Sequence, residues 1–379
     1  MKKGDKNIFL LGGSSLINDI GSEMITPILP FLIASFGGAG LAIGLISGLR
    51  EGLSSLVKLL GGWLSDKTGK RKSFVFFGYL ISVIFRLLLG FATSWSQVIS
   101  FVSLERFGKL RDAPRDAIIT DTTKRKGRGF GIHQAMDTTG GIVGSLLVLF
   151  LFWKLNFSFQ SIIFVAAGIS AFSLLPLFFV KKTNVKPKKI NLLKGISKLN
   201  PNLKYLIFVL SIFTLGNFGL YLFILLIVKN ITGSFVIPLI LFLGFNIVSA
   251  TFTVFFGKLS DRIGRKKVLM SGFILFLAVA LSFVFNATNL TAIAIIFAFY
   301  GLVYAITLSN QKAFVADLAG EYKGTAIGFY YFVVGLVNIA AGLIAGLLWD
   351  ISPHTMFIYI SCIATLAIIL LSFVKESKN

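Results

Sequence analysis

Charge is scarce in this sequence. Asp, Glu, Lys and Arg make up 14% of its 379 residues, whereas 55% are hydrophobic and the mean hydropathy is +0.86. Soluble domains carry about 25% charged residues, so a soluble globular class is excluded. Cysteine is scarcer: Cys362 is the only one, which excludes a disulfide within the chain and says nothing more of compartment. With only His133 and His354 beside it, a clustered soft-ligand metal site is not expected. No enzyme constellation stands out either, and no metal or bound cofactor is expected. Acids are the third shortage, 15 against 37 Lys and Arg, for a formal net charge of +22.

Apolar runs fill the space that charge leaves. Stretches of about 20 residues, long enough to cross a bilayer, recur from end to end. Twelve segments are read, near 8–36, 41–65, 73–92, 98–118, 130–153, 161–180, 205–228, 235–256, 268–287, 290–313, 324–348 and 355–374. The opening MKKGDKNIFLLGGSSLI lacks a small-residue cleavage site and runs straight into Asn18-Asp19, so it reads as a retained first segment. The basic residues are placed unevenly. Odd-numbered connections hold Lys154 and Lys229, while the termini and even-numbered connections hold 27 of the 37. That is the positive-inside pattern of a multi-pass cell-membrane protein with both termini cytoplasmic. The basic face is expected to meet anionic lipid headgroups rather than nucleic acid.

The longest connection, 181–204, holds eight Lys and no acid, and reads as a solvated cytoplasmic linker. It separates two six-segment bundles, 1–180 and 205–379. These repeat: GGWLSDKTGKRK (61–72) returns as FGKLSDRIGRKK (256–267), and KGRGFGIHQ (126–134) matches KGTAIGFYY (323–331). Near-equal offsets at two places point to duplication of a six-helix unit, the architecture of a rocking transporter. The pattern G-x-L-x-D-[RK]-x-G-[RK]-[RK] resembles the signature loop of the major facilitator superfamily. It is filled by Gly62, Leu64, Asp66, Lys67, Gly69, Lys70 and Arg71, then by Gly257, Leu259, Asp261, Arg262, Gly264, Arg265 and Lys266. The resemblance implies an all-α membrane fold of twelve transmembrane helices in two pseudo-symmetric halves. It also implies that these loops latch the cytoplasmic ends, with Asp66 facing the start of helix eleven near Gly324 and Thr325.

Charged membrane residues concentrate in the first half: acids Asp19, Glu23, Glu51, Glu105, Asp112, Asp116 and Asp137, and bases Arg50, Lys58, Arg86, Arg106, Lys109, Arg111 and Arg115. Seven against seven suggests internal pairing, because an unpaired charge in hydrocarbon is costly. At 100° per residue, Glu105, Lys109, Asp112 and Asp116 fall in one narrow arc of segment four, with Phe107, Leu110 and Pro114 opposite. Asp19, Glu23, Glu51, Glu105, Arg106 and Lys109 are expected to form a mid-depth substrate and proton site, Asp19 and Glu23 lying opposite Arg106 and Lys109. Arg111, Asp112, Arg115, Asp116, His133 and Asp137 are expected to form an inner-mouth cluster. Arg50, Lys58 and Arg86 read as structural.

Segment four resembles the superfamily's R-x-x-x-G motif, with Arg106 in the arginine position and Leu110 where glycine is expected. Segment five has Gly140, Gly141, Gly144 and Ser145 where drug antiporters carry a Gly-Pro pair. NDIGSEMITPILPFL, R-x-A-P-R-D and HQAMDTTGG look like a prokaryotic branch of the superfamily whose substrates are mostly unassigned. The second half offers aromatic and amide points instead: Asn217, Asn246, Tyr300, Tyr304, Tyr330, Tyr331 and Asn338. Ionisable groups on one wall and aromatics on the other suit an amphipathic organic molecule. The expected function is proton-coupled export of such compounds by a monomer. An organic anion or a metal chelate is the alternative cargo, and a non-transporting receptor or lipid scramblase the alternative class.

Overall fold

A computed structural model describes residues 3–122, 126–181, 199–285, 289–319 and 323–376. Most of the linker (182–198) therefore lies outside the described residues. The described chain is helical: α1 (Lys3–Ile25), α2 (Leu29–Ser35), α3 (Gly40–Thr68), α4 (Arg71–Leu89), α5 (Trp95–Glu105), α6 (Asp112–Thr122), α7 (Lys126–Leu155), α8 (Phe159–Ala171), α9 (Leu175–Phe179), α10 (Pro201–Gly216), α11 (Tyr221–Thr232), α12 (Val236–Ile263), α13 (Arg265–Val284), α14 (Leu290–Leu318), α15 (Lys323–Ile351) and α16 (Pro353–Ser372). These form twelve segments, of which one, four, six and seven are each built from two helices. Eleven are long and apolar enough to cross a membrane. Segment four, α5–α6, is the exception, because its charges interrupt the run.

Contacts divide the chain into two compact units, Met1–Gly38 with Leu53–Ile190, and Ala39–Gly52 with Asn191–Asn379. The first half of α3 thus packs among the second unit's helices, where a boundary at the linker alone was expected. Within each unit the same neighbours meet: segment one packs on five and six, and three on four and six. In the second unit, seven packs on eleven and twelve, and nine on ten and twelve. The repeat read from two motifs extends to these pairings of segments.

Segments one, four, six and seven depart from the continuous helices expected, six through a 3-10 turn at Phe172–Leu174. In segment one, Pro27 and Pro30 lack the N–H that an interior turn needs, and a 3-10 turn at Thr26–Ile28 separates α1 from α2. Segment seven opens between α10 and α11, where Gly219 has φ +87°. A Cβ on Gly219 would stand 2.3 Å from Ser47 Oγ, which donates to the Phe218 carbonyl. Both the backbone sign and the close approach therefore require glycine there.

Segment four carries the largest correction. Pro114 in the first turn of α6 has no N–H to give the Leu110 carbonyl, and residues Arg106–Arg111 wind as a 3-10 helix. Side chains three apart then eclipse one another. Glu105 lines up with Gly108 and Arg111, while Arg106 lines up with Lys109 and Asp112. The single stripe expected from a 100° step is split into two. Phe107 does point outward, 41% exposed, but Pro114 is buried. Glycines make room for the tightened backbone: a Cβ on Gly61 would stand 2.2 Å from the Leu110 oxygen, and one on Gly78 2.6 Å from that of Gly108.

In the second unit α3 meets α15 backbone to backbone. A Cβ on Gly44 would stand 2.1 Å from the Gly342 oxygen, and one on Gly342 2.2 Å from that of Gly44. Asp350 accepts from the N–H groups of Gly40 (2.7 Å) and Leu41 (2.9 Å), the orphan donors at the start of α3. A Gly44→Leu variant is expected to unfold several degrees lower in detergent, because overpacking there costs about 1–3 kcal/mol. An unchanged thermal midpoint would show that the contact can open without cost.

Candidate functional site

The first unit holds a chain of buried charges in three groups. Arg86, 2% exposed on α4, is the hub of the first. Its Nη2 donates to Glu105 Oε1 at 2.8 Å, and its Nη1 donates to the Asn18 carbonyl (3.2 Å), Asn18 Oδ1 (3.3 Å) and Ser170 Oγ. One guanidinium thereby ties segments one, three, four and six, the structural part the sequence suggested for it. Arg106 Nε lies 2.9 Å from Glu105 Oε2, so Glu105 sits between two arginines.

Asp112 is the hub of the second group. Lys58 Nζ (3.4 Å) and Lys109 Nζ (3.9 Å) approach its Oδ2, and Arg115 Nη1 (3.7 Å) and Arg111 Nε (3.8 Å) approach its Oδ1. Arg111 also donates to Ser82 Oγ (2.8 Å) and the Gly108 carbonyl (2.9 Å), with Tyr79's ring 4.3 Å away. It is thus turned into the packing against α4 rather than toward His133 and Asp137. Arg115 pairs with Asp116 at 3.1 Å and donates to Ser15 Oγ at 3.2 Å. Lys109, expected at mid-depth with Asp19, belongs here, and so does Lys58, which sequence reasoning set aside as structural.

The third group lies where α1 packs on α7. Gly140 and Gly144 let the helices close up, their Cβ positions 3.2 Å from Asp19 Cβ and 3.1 Å from Glu23 Cβ. Asp19 accepts from Asn18 Nδ2 (3.2 Å), and the charges within its electrostatic reach include Asp137, Lys109, Arg111 and Arg115. Among the described residues no ion pair joins Asp19 to Lys109, which lies by Asp112, and Arg106 pairs with Glu105. On α7, His133 Nδ1 lies 3.2 Å from Asp137 Oδ2, and the buried His133 Nε2 has no hydrogen-bond partner among the described residues. Glu51, expected in the same site, falls in the second unit and is exposed, while its neighbour Arg50 is buried.

Both signature loops form ion-pair bridges. Arg71 joins Asp66 (3.0 Å) and Asp121, and Arg265 joins Asp261 and Asp317 (3.0 Å). The bridging arginines occupy different motif positions: α4 opens one residue later after Gly69 than α13 does after Gly264. Lys67 lies 5.0 Å over the Trp63 ring, and Arg262 is exposed. Gly62 packs on Ala113, whereas nothing approaches the Cβ position of Gly257. A clamp missed in the sequence also repeats. Asn7 accepts from the Lys181 N–H (3.1 Å) and donates to its carbonyl (3.3 Å), as Asn202 accepts from the Lys375 N–H (3.1 Å) and donates to its carbonyl (2.6 Å). The 195-residue offset of Asn7 and Asn202 was the available signal.

The second unit's polar points fall into separate places. Tyr300 donates to Asn217 Oδ1 at 2.8 Å, stacks on Phe297, tilts against Phe245 and meets Tyr304 edge-on in one aromatic cluster that Tyr221 joins. Tyr330 donates to Gln311 Oε1 at 2.8 Å and neighbours Tyr331, whose ring lies 5.8 Å from Lys312 Nζ. Asn338 is buried against Gly48 of α3, and Asn246 lies half-buried on α12.

Twelve helical segments, eleven of them apolar enough to cross a membrane, with pairings repeated between the two halves and a set of buried charges define a multi-pass membrane transporter. The family model of the Major Facilitator Superfamily matches residues 11–243 and 206–379, and the chain belongs to that family. It is 47% identical over 378 residues to the uncharacterized MFS-type transporter MJ1317 of Methanocaldococcus jannaschii, covering 97% of this chain and 95% of that one. It is 24% identical to the multidrug resistance protein MdtH of Aeromonas hydrophila, covering 90% and 87%. A crystal structure of a mutant of the nucleoside transporter NupG superposes with a TM-score of 0.80 at 14% identity, covering 98% of this chain and all of that one, a likeness of fold.

Proposed function

We propose that this transporter is a proton-coupled exporter of amphipathic organic compounds, working by alternating access in the cell membrane with both termini cytoplasmic. The observation that carries the reading is the acid pair of α1 and α7. Asp19 and Asp137 are membrane-segment carboxylates within electrostatic reach of each other, and among the described residues neither makes an ion pair with a lysine or arginine. An intramembrane acid is a functional-site candidate by default, and one not held ionised by a lysine or arginine ion pair can take up and release a proton. His133, bonded to Asp137, supplies a second group able to pass a proton. The likeness to the multidrug resistance protein MdtH supports a cargo of drug-like organic compounds. The Arg71 and Arg265 bridges would order the loops that open and close.

Proton movement tests this directly. Sealed proteoliposomes carrying a trapped pH dye are challenged with naphthalenesulfonate, naphthylmethanol and naphthylmethyltrimethylammonium, which share one apolar body. One of them is expected to evoke proton movement that is lost in Asp137→Asn. Solute crossing with no proton movement would sink the coupling and leave a facilitator.

A further inference from the structure

Of the acids expected in the mid-depth site, Glu51 is the one that falls in the second unit. It lies on α3, in a segment long and apolar enough to cross a membrane, and it is exposed. Among the described residues neither an ion pair nor a hydrogen bond takes its carboxylate. A carboxylate in a membrane segment is costly unless it is paired or faces a water-filled cavity. Its neighbour Arg50 sits 100° further round the helix and is buried. The proton reading above makes no use of Glu51.

The surroundings of Glu51 are aromatic. It lies within electrostatic reach of Tyr300 and Tyr304 of α14. These two are four residues apart and share a helix face, which Phe297 extends. Phe245 comes from α12, and Tyr221 opens α11 just past the break at Gly219. Four of the rings lie in similar planes: Phe245 and Phe297 at 16°, Phe297 and Tyr300 at 23°, Tyr221 and Phe245 at 31°. Tyr304 crosses them, at 80° to Tyr300, 73° to Phe245 and 78° to Tyr221, with centroids 5.3, 5.1 and 6.5 Å away. Phe297 and Tyr300 are buried, whereas Tyr304 is half-buried. A ring face carries the negative side of its quadrupole, so planes that cross let one cation meet more than one face. Core packing accounts for the buried rings, but it leaves the Glu51 charge without a partner. A cationic ligand supplies that partner.

We propose that Glu51 and Tyr304, backed by Tyr221 and Tyr300, form a seat for the quaternary ammonium head of an amphipathic organic cation. The inference rests on the transport reading above and narrows its cargo from amphipathic compounds to cationic ones. Glu51 selects the sign of charge, and the crossed rings replace the weak hydration of a methylated head. The same head occurs on soluble amines and on choline lipids, so both sources enter the test.

Binding to the purified full chain separates the possibilities. The probes are naphthylmethyltrimethylammonium, naphthylmethanol, naphthalenesulfonate and dihexanoyl phosphatidylcholine, a soluble lipid with a trimethylammonium head. The naphthyl cation or the lipid is expected to bind, the neutral and anionic bodies far more weakly. Glu51→Gln and Tyr304→Leu are each expected to weaken the cation roughly tenfold, and Tyr304→Phe to retain it. Glu51→Gln breaks no ion pair among the described residues, so its thermal midpoint should match the wild type. Preference between the naphthyl cation and the lipid names the source. Tighter binding of the sulfonate, no binding of either trimethylammonium compound, or an unchanged cation affinity in Glu51→Gln overturns the seat. Failure of the parent reading looks different: transport of the naphthyl cation that needs Glu51 yet moves no protons keeps the seat and discards the coupling. Proton movement evoked by the sulfonate alone keeps the coupling and discards the seat.

Discussion

Replacing Arg86 by alanine is expected to leave little folded protein. The side chain is 2% exposed and donates to acceptors on three other segments, Asn18, Glu105 and Ser170. Its removal strips Glu105 of one partner and leaves the Asn18 carbonyl and Ser170 hydroxyl facing a cavity. Breaking a buried pair from one side costs about 3–5 kcal/mol, which is a large share of the stability of a typical domain. Arg86→Lys keeps the charge but not the fork, and one ammonium cannot span acceptors that a guanidinium reaches with two nitrogens. The lysine variant should therefore recover only part of the loss. The yield of monodisperse protein and its thermal midpoint in detergent measure both variants. Wild-type values for Arg86→Ala would make the hub dispensable and remove the rationale for a charge so deep in the unit.

The twelve crossings were legible because the bilayer imposes a length that no local detail can alter, and the duplication because the Asp66 and Asp261 loops survive in both halves. The interior of segment four was not. A hydropathy pattern assumes one helical step, and Pro114 changes that step for the six residues before it, which moves Glu105 and Asp112 onto different faces. The acids and bases were all found, but their partners were assigned by depth. Depth cannot tell that Arg106 turns back onto its neighbour Glu105, or that Lys58 reaches Asp112 from α3. The bridging arginines show the same limit at shorter range: a motif aligned by its glycines pairs Arg71 with Lys266, whereas the ion pairs match Arg71 with Arg265.

Asp19→Asn is expected to separate exchange from accumulation. Because Asp19 makes no ion pair with a lysine or arginine among the described residues, the substitution orphans none of those cations, and the amide can still accept from Asn18. Asp112→Asn, by contrast, would take a shared counter-charge from four bases and should fold poorly. The asparagine variant should therefore reach the membrane intact and bind cargo as the wild type does. What it lacks is a group that can take up a proton on one side and release it on the other. In vesicles with equal pH on both sides, exchange of labelled for unlabelled solute should proceed at the wild-type rate. Under an imposed pH gradient, uphill accumulation should fall to the level of protein-free vesicles. Loss of both activities would place Asp19 in the cargo site or the fold. Retention of both would move the coupling to Asp137 and His133, where the same pair of measurements on Asp137→Asn decides it.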